Sequence, residues 1–357
     1  MRVWPERAPA ALLALLALAC AGDAIGPDGA GDEASPVARV ATEGGAPALL
    51  VEAPLDAWPR VVAAPPDSAG PAQSLLEPRW RPDGTRLGFV AVTGGVGRLL
   101  VAATGGAVVD TQVRISPVAY WGTPFGWSPD GRAIAAAVTA TVDRRVIVTR
   151  VVTADLTAGT TRVLYESGTG GGPRAEPTTA VRWATDGQVY VATTVGQTGP
   201  DTLPTPVSRL WAIDAAGVRR LVRDSLPGLV QDIAPDASWV LALRRRFVSG
   251  VAPFRSADDY RELARVDVRT GQATVLAHRD RLPVPLFLPG DARVANDRIR
   301  WARLSADGGR VVVAINVEQG DPFATRLAYR ALTLDGAPAG DLPGDPTEAP
   351  GSVALLR

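Results

Sequence analysis

The 357 residues of this chain include one cysteine, one histidine and no lysine. Each scarcity removes a class of chemistry. A lone thiol, Cys20, forms no intrachain disulfide. One histidine, His278, is too few for a multi-histidine zinc or manganese site. A Ser-His-Asp relay needs an imidazole between nucleophile and acid, and His278 instead ends an expected outer strand just after Val275-Leu276. No Gly-x-Ser-x-Gly elbow occurs. Without lysine there is no Schiff-base nucleophile and no phosphate-loop lysine. All 37 basic residues are arginine, and they balance 37 acidic ones to a formal charge of zero. With no basic stripe, nucleic acid is not the expected partner. The acidic pairs Asp258-Asp259 and Asp341 with Asp345 lack the spacing of a calcium loop and read as solvated loop charge. No catalytic residue, metal or cofactor is therefore expected.

What the chain does contain is a repeat. Five times a large apolar residue leads into a Pro-Asp-Gly-like turn: Trp80-Arg81-Pro82-Asp83-Gly84, Trp127-Ser128-Pro129-Asp130-Gly131, Trp183-Ala184-Thr185-Asp186-Gly187, Ile233-Ala234-Pro235-Asp236-Ala237 and Leu304-Ser305-Ala306-Asp307-Gly308. The aspartates lie 47, 56, 50 and 71 residues apart, the period of a propeller blade plus variable loops. Proline presets φ, aspartate bonds its own backbone and glycine accepts positive φ, so each copy specifies a tight hairpin. Apolar runs follow each turn: 87–91, 134–138, 189–192, 239–243 and 311–315. Such short continuous runs suit strands covered on both faces. A second hairpin succeeds each run, clearest at 152–164 (Asp155, Gly159), 210–222 (Asp214, Gly217) and 263–276 (Asp267, Gly271), and looser at 99–109 and 331–342. Four strands per repeat make one blade.

These motifs resemble the TolB-type, WD-repeat-like β-propeller family, whose blades carry a Ser-Pro-Asp-Gly signature. The resemblance covers residues 37–357. It departs from the pattern where Ala237 replaces glycine, where the third and fifth copies lack proline, and where only three copies lead with tryptophan. An all-β ring of six four-stranded blades is expected, because exposed sheet edges invite pairing with other chains and the ring has to cover its first and last strands. The sixth blade would be a composite of 37–63 and 351–357. The alternative is a five-bladed ring with its N-terminal residues draped outside.

The N-terminus carries an address. Arg2 and Arg7 precede an apolar stretch at 10–18 that is too short to span a bilayer and reads as a secretory signal over 1–19. Ala17-Leu18-Ala19-Cys20 resembles a bacterial lipobox, which implies lipidation of Cys20; the plainer reading is an ordinary cleaved signal. A lone thiol in an oxidising compartment fits the lipidated form better. Residues 20–36, rich in Gly, Ala, Asp and Pro, would be a flexible acidic tether. The absence of aspartate at Ala21 implies, by analogy with sorted lipoproteins, the periplasmic face of the outer membrane.

Strand alternation puts both tight turns of each blade on one face and the longer connections, 114–125, 168–179, 196–207, 247–260, 279–295 and 318–325, on the other. Variable loops on a rigid scaffold gather function, and aromatic and arginine side chains dominate binding hot spots. Tyr120, Trp121, Phe254, Arg255, Tyr260 and Phe323 are therefore the candidate contact residues, while Asp83, Asp130, Asp186, Asp236 and Asp307 are assigned to turn structure. The expected function is a monomeric, non-catalytic, membrane-tethered scaffold of the cell envelope that binds a protein or peptide. The alternative is a carbohydrate-active or hydrolytic enzyme using paired loop carboxylates such as Asp201, Asp258, Asp259 or Asp321, held about 5 to 10 Å apart.

Overall fold

A computed structural model describes residues 36–43, 45–52, 59–66, 70–115, 125–142, 146–167, 178–195, 207–245, 260–278, 299–318, 325–342 and 353–356. Every regular element among them is a strand, and the strands form six four-stranded antiparallel sheets. The segment from Val37 onward is thus a six-bladed β-propeller. Blade I comprises β4 (Ser74–Trp80), β5 (Arg86–Thr93), β6 (Val96–Ala103) and β7 (Val108–Ile115). Blade II holds β8 (Phe125–Trp127), β9 (Ala133–Val142), β10 (Val146–Asp155) and β11 (Thr160–Glu166). Blade III holds β12 (Thr178–Trp183), β13 (Val189–Val195), β14 (Val207–Ile213) and β15 (Arg219–Pro227). Blade IV holds β16 (Leu229–Ile233), β17 (Trp239–Arg245), β18 (Tyr260–Asp267) and β19 (Ala273–His278). Blade V holds β20 (Ile299–Leu304), β21 (Arg310–Glu318), β22 (Thr325–Thr333) and β23 (Pro338–Leu342).

Blade VI is assembled from both ends of the propeller, β24 (Val353–Leu355) pairing with β1 (Val37–Glu43), followed by β2 (Ala46–Glu52) and β3 (Val61–Ala63). Val37 faces Leu355, and Arg39 faces Val353 in the antiparallel register. The composite closure expected from the sequence is therefore present, and the five-bladed alternative is excluded.

Six apolar clusters fill the six gaps between consecutive blades. Leu49 and Leu356 of blade VI pack on Trp80 and Phe89 of blade I. Val90 and Leu99 meet Phe125 and Ile134, and Val151 and Leu164 meet Val181 and Val191. Leu210 and Leu226 meet Ile233 and Val240, then Leu241 and Leu263 meet Leu304 and Val311. Trp301 and Val312 meet Val37 and Val353, which closes the circle. The apolar runs seen in the sequence are the second strands of their blades, flanked by a strand on each side. The strand nearest the axis is the one that precedes each signature turn.

All five signature turns share one geometry. In each, the aspartate Oδ1 accepts the backbone N–H two residues on: Thr85 at 3.0 Å, Arg132 at 3.0 Å, Gln188 at 3.0 Å, Ser238 at 3.0 Å and Gly309 at 2.9 Å. The residue after the aspartate donates its N–H three residues back in every copy. Ala237 does so at φ +55°, in the place the other copies give to glycine. Missing proline or glycine therefore leaves the turn unchanged, because the aspartate bond and the backbone bond persist.

The second hairpin of a blade lies beside the first, since Thr104 N–H donates to Thr85 O, Leu156 N–H to Arg132 O and Val268 N–H to Ser238 O. Both tight turns thus share one face. The uniform contrast in loop length drawn from the sequence needs correction. On the opposite face β5 joins β6 through Gly94-Gly95 and β15 joins β16 at Gly228, whereas on the signature face β2 and β3 of blade VI are separated by 53–60. Two further short links lie on that opposite face, residues 44–45 between β1 and β2 and residues 143–145 between β9 and β10.

Candidate functional site

The residue directly before the leading apolar residue of each signature sits on an axial strand, and it is Arg79, Gly126, Arg182, Asp232 or Arg303 in turn. Four of the five are charged. The register shifts immediately before Arg79 and Asp232, between Leu76 and Arg79 and between Val230 and Asp232, and earlier in the strands of Arg182 and Arg303, between Thr178 and Ala180 and between Ile299 and Trp301. Bulges of this kind re-aim side chains. In blade I the bulge holds Glu77 at φ +58°, a left-handed conformation that costs a non-glycine residue on the order of 1–2 kcal/mol.

The result is a charged cage across the axis. Asp232, 1% exposed, lies 3.8 Å from Arg79 Nη1 and 3.6 Å from Arg182 Nη2. Its Oδ1 accepts Ile233 N–H at 2.9 Å and its Oδ2 accepts Leu304 N–H at 3.2 Å. Arg182 Nε donates to Ile233 O at 2.9 Å. Glu77, 3% exposed, pairs with Arg303, 5% exposed. The Arg303 guanidinium also lies 5.1 Å from the Trp301 ring centre, and that of Arg79 lies 5.4 Å from Phe125. The Trp127 indole donates to Arg79 O at 3.1 Å and ties blade II to blade I. Blade I thus reaches blade IV on the far side of a six-membered ring.

The cage splits its two carboxyls. Burial pushes the Glu77 carboxyl up, with Arg303 and Arg79 opposing. Burial also pushes on Asp232, but Arg182, Arg79 and Arg303 outweigh it and hold that carboxyl below its ordinary range. Burial takes Arg303 down to about 10, so it stays cationic at neutral pH. A raised and a lowered carboxyl together form a pattern associated with acid–base catalysis. Neither carboxyl borders the adjacent cavity, which holds only ≈ 30 Å³, against roughly 300–1,000 Å³ for a small-molecule pocket. No sugar ring fits there, and both carboxylates are held by arginine.

The sequence reasoning missed this cluster, although the position before each leading residue was a readable signal. Of the residues it did name, the five turn aspartates take the structural role described above. Tyr260 begins β18 and its backbone pairs with Arg245. Cys20, Tyr120, Trp121, Phe254, Arg255 and Phe323, and the loop carboxylates Asp201, Asp258, Asp259 and Asp321, lie outside the described residues. His278 ends β19, the fourth strand of blade IV, opposite Glu262. Among the described residues, no group of three His, Cys, Asp or Glu side chains is placed to hold a metal.

These features define a six-bladed propeller with a buried charged cluster among its axial strands. Among solved structures, TolB from Acinetobacter baumannii is similar to it, with a TM-score of 0.56 and 16% identity over 91% of this chain and 67% of that one. The tricorn protease is similar at a TM-score of 0.51 and 12% identity, covering 90% of this chain but only 30% of its own. At such identities the likeness shows the fold alone. No protein-family model and no curated protein matches the sequence.

Proposed function

We propose that this chain is a non-catalytic binding scaffold of the bacterial envelope, held at the periplasmic face of the outer membrane by lipidated Cys20. It engages an envelope protein or peptide through the face opposite the signature turns. Tyr120, Trp121, Phe254, Arg255, Tyr260 and Phe323 supply the contacts. The observation that carries this reading is the inequality of the two faces. The signature face is built from five near-identical turns fixed by their own hydrogen bonds. The strand ends at the other face border the connections 116–124, 168–177, 196–206, 246–259, 279–298, 319–324 and 343–352, where sequence can vary without disturbing a blade. The arginine-bound state of Glu77 and Asp232 supports a binding role over an acid–base one, and the TolB likeness supports the ring as a scaffold.

The test is affinity capture from envelope extract with three forms of the full chain. Trp121→Ala with Phe254→Ala is expected to lose the partner, while Arg132→Ala on the signature face keeps it. Equal recovery by all three rejects the assigned face. Mass spectrometry of the mature N-terminal peptide is expected to find an acylated cysteine, absent in Cys20→Ser; an unmodified Cys20 removes the tether.

A further inference from the structure

The axial cage is unbalanced. Its five ionisable groups carry three positive charges and at most two negative ones, so the site holds a net charge of at least +1 in a desolvated position. The hydrogen-bond inventory is unbalanced in the same sense. Arg79 Nε and Nη2 and Arg303 Nε and Nη1 are buried and have no hydrogen-bond partner within the protein. Buried polar groups are ordinarily satisfied, and an unpaired charged donor is among the costliest exceptions. The adjacent cavity is lined by Arg79, Arg182 and Arg303, together with Trp80, Trp127 and Ser305, and neither Glu77 nor Asp232 borders it. Three guanidinium-bearing side chains thus border the cavity among apolar neighbours such as Leu304, Val312 and Val353, and no carboxylate of the cage does. Its ≈ 30 Å³ exceeds the roughly 10–15 Å³ that one water needs and is about a tenth of the smallest ordinary small-molecule pocket.

We propose that this cavity is a binding site for one small monovalent inorganic anion of the halide class, held by the guanidinium groups of Arg79 and Arg303 with Arg182 completing the cation shell. The anion neutralises the residual charge. It is a structural ligand of the ring that locks blades I, III and V around the axis. The inference does not depend on the envelope-scaffold reading.

Chloride is the probe. Chlorine-35 line widths are measured on the purified full chain at pH 7, with sodium gluconate holding ionic strength constant, and thermal unfolding is followed in the same series. The wild type is expected to show saturable broadening that bromide competes away. Its melting temperature should rise by about 2 °C for each tenfold increase in chloride above the dissociation constant. Asp232→Asn, at the carboxyl its arginines hold ionised, adds one unit of positive charge with little change of shape and should bind chloride at least about tenfold more tightly. Arg79→Met should abolish the saturable broadening. A purely structural role for the cage predicts no gain in Asp232→Asn. Should Arg79→Met fail to fold, crystals of the wild type grown in bromide give the decision: an anomalous peak in the cavity supports the site. Its absence overturns the site, as does a wild-type line width and melting temperature indifferent to chloride.

Discussion

Asp232→Asn changes one oxygen to nitrogen in the middle of the ring, and the cage geometry gives its cost. The side chain keeps its volume and can still accept one backbone N–H, so packing is conserved. What disappears is the anion 3.8 Å from Arg79 and 3.6 Å from Arg182, along with an acceptor for either Ile233 or Leu304. Removing one partner of a buried ion pair costs about 3–5 kcal/mol, because the remaining charge stays buried and unpaired. With an unfolding entropy of about 2.1 cal/mol/K per residue, a propeller of this size should melt roughly 4–7 °C lower. The pH dependence carries a sign. The Asp232 carboxyl is held below its ordinary range in the folded state. Its contribution is therefore fully present above the unfolded value near 3.9 and disappears as pH falls through the lowered folded value. The gap between wild type and variant should be constant from neutral pH to about pH 4 and close below it. Glu77 has the opposite sign: its raised carboxyl penalises the folded state above its folded pKa, a penalty relieved on acidification. Differential scanning calorimetry across pH 3 to 7 reads both. A shift under about 1 °C at neutral pH, or a gap that widens in acid, refutes the assignment of Asp232 as the anchor of the cage.

Two further outcomes follow from the contacts between blades. In Gly336→Ala the new Cβ would press into the Leu276 carbonyl of the preceding blade at φ +89°, whereas at Gly95, with φ +79°, the same methyl meets nothing within 4 Å. Urea unfolding should show a loss of about 1 kcal/mol for Gly95→Ala and at least about 3 kcal/mol for Gly336→Ala, the difference being the steric part. Deleting residues 353–357 removes β24, leaves β1 as an open edge and uncovers Trp80 where Leu356 packs. The truncated chain should aggregate or melt at least 10 °C lower, as expected for loss of a closing strand and a buried leucine, by light scattering and circular dichroism; an unchanged melting curve would contradict closure through blade VI.

The ring was legible because its information is local and repeated. Asp83, Asp130, Asp186, Asp236 and Asp307 each bond a backbone two residues away, so the turn can be read from five consecutive residues. The closing blade was legible for another reason: an open propeller leaves two unpaired edges, and only 37–63 and the extreme C-terminus remained to cover them. The axial cage belongs to a different order of information. Arg79 meets Asp232 from the opposite side of the ring, and Glu77 meets Arg303 from two blades away, so no window of sequence contains a pair. Each of these axial charges stands in a short strand, which taken singly reads as a solvated strand end. Only when the five signatures are superposed does the position before the leading residue show Arg, Gly, Arg, Asp, Arg, and only ring closure turns that column into a circle. A repeat protein therefore conceals its axial chemistry in a column outside the signature that reveals the repeat. The surplus of arginine over carboxylate in that column becomes meaningful once the side chains share a buried volume, because an excess charge that water would screen on the surface has to find a counter-ion there.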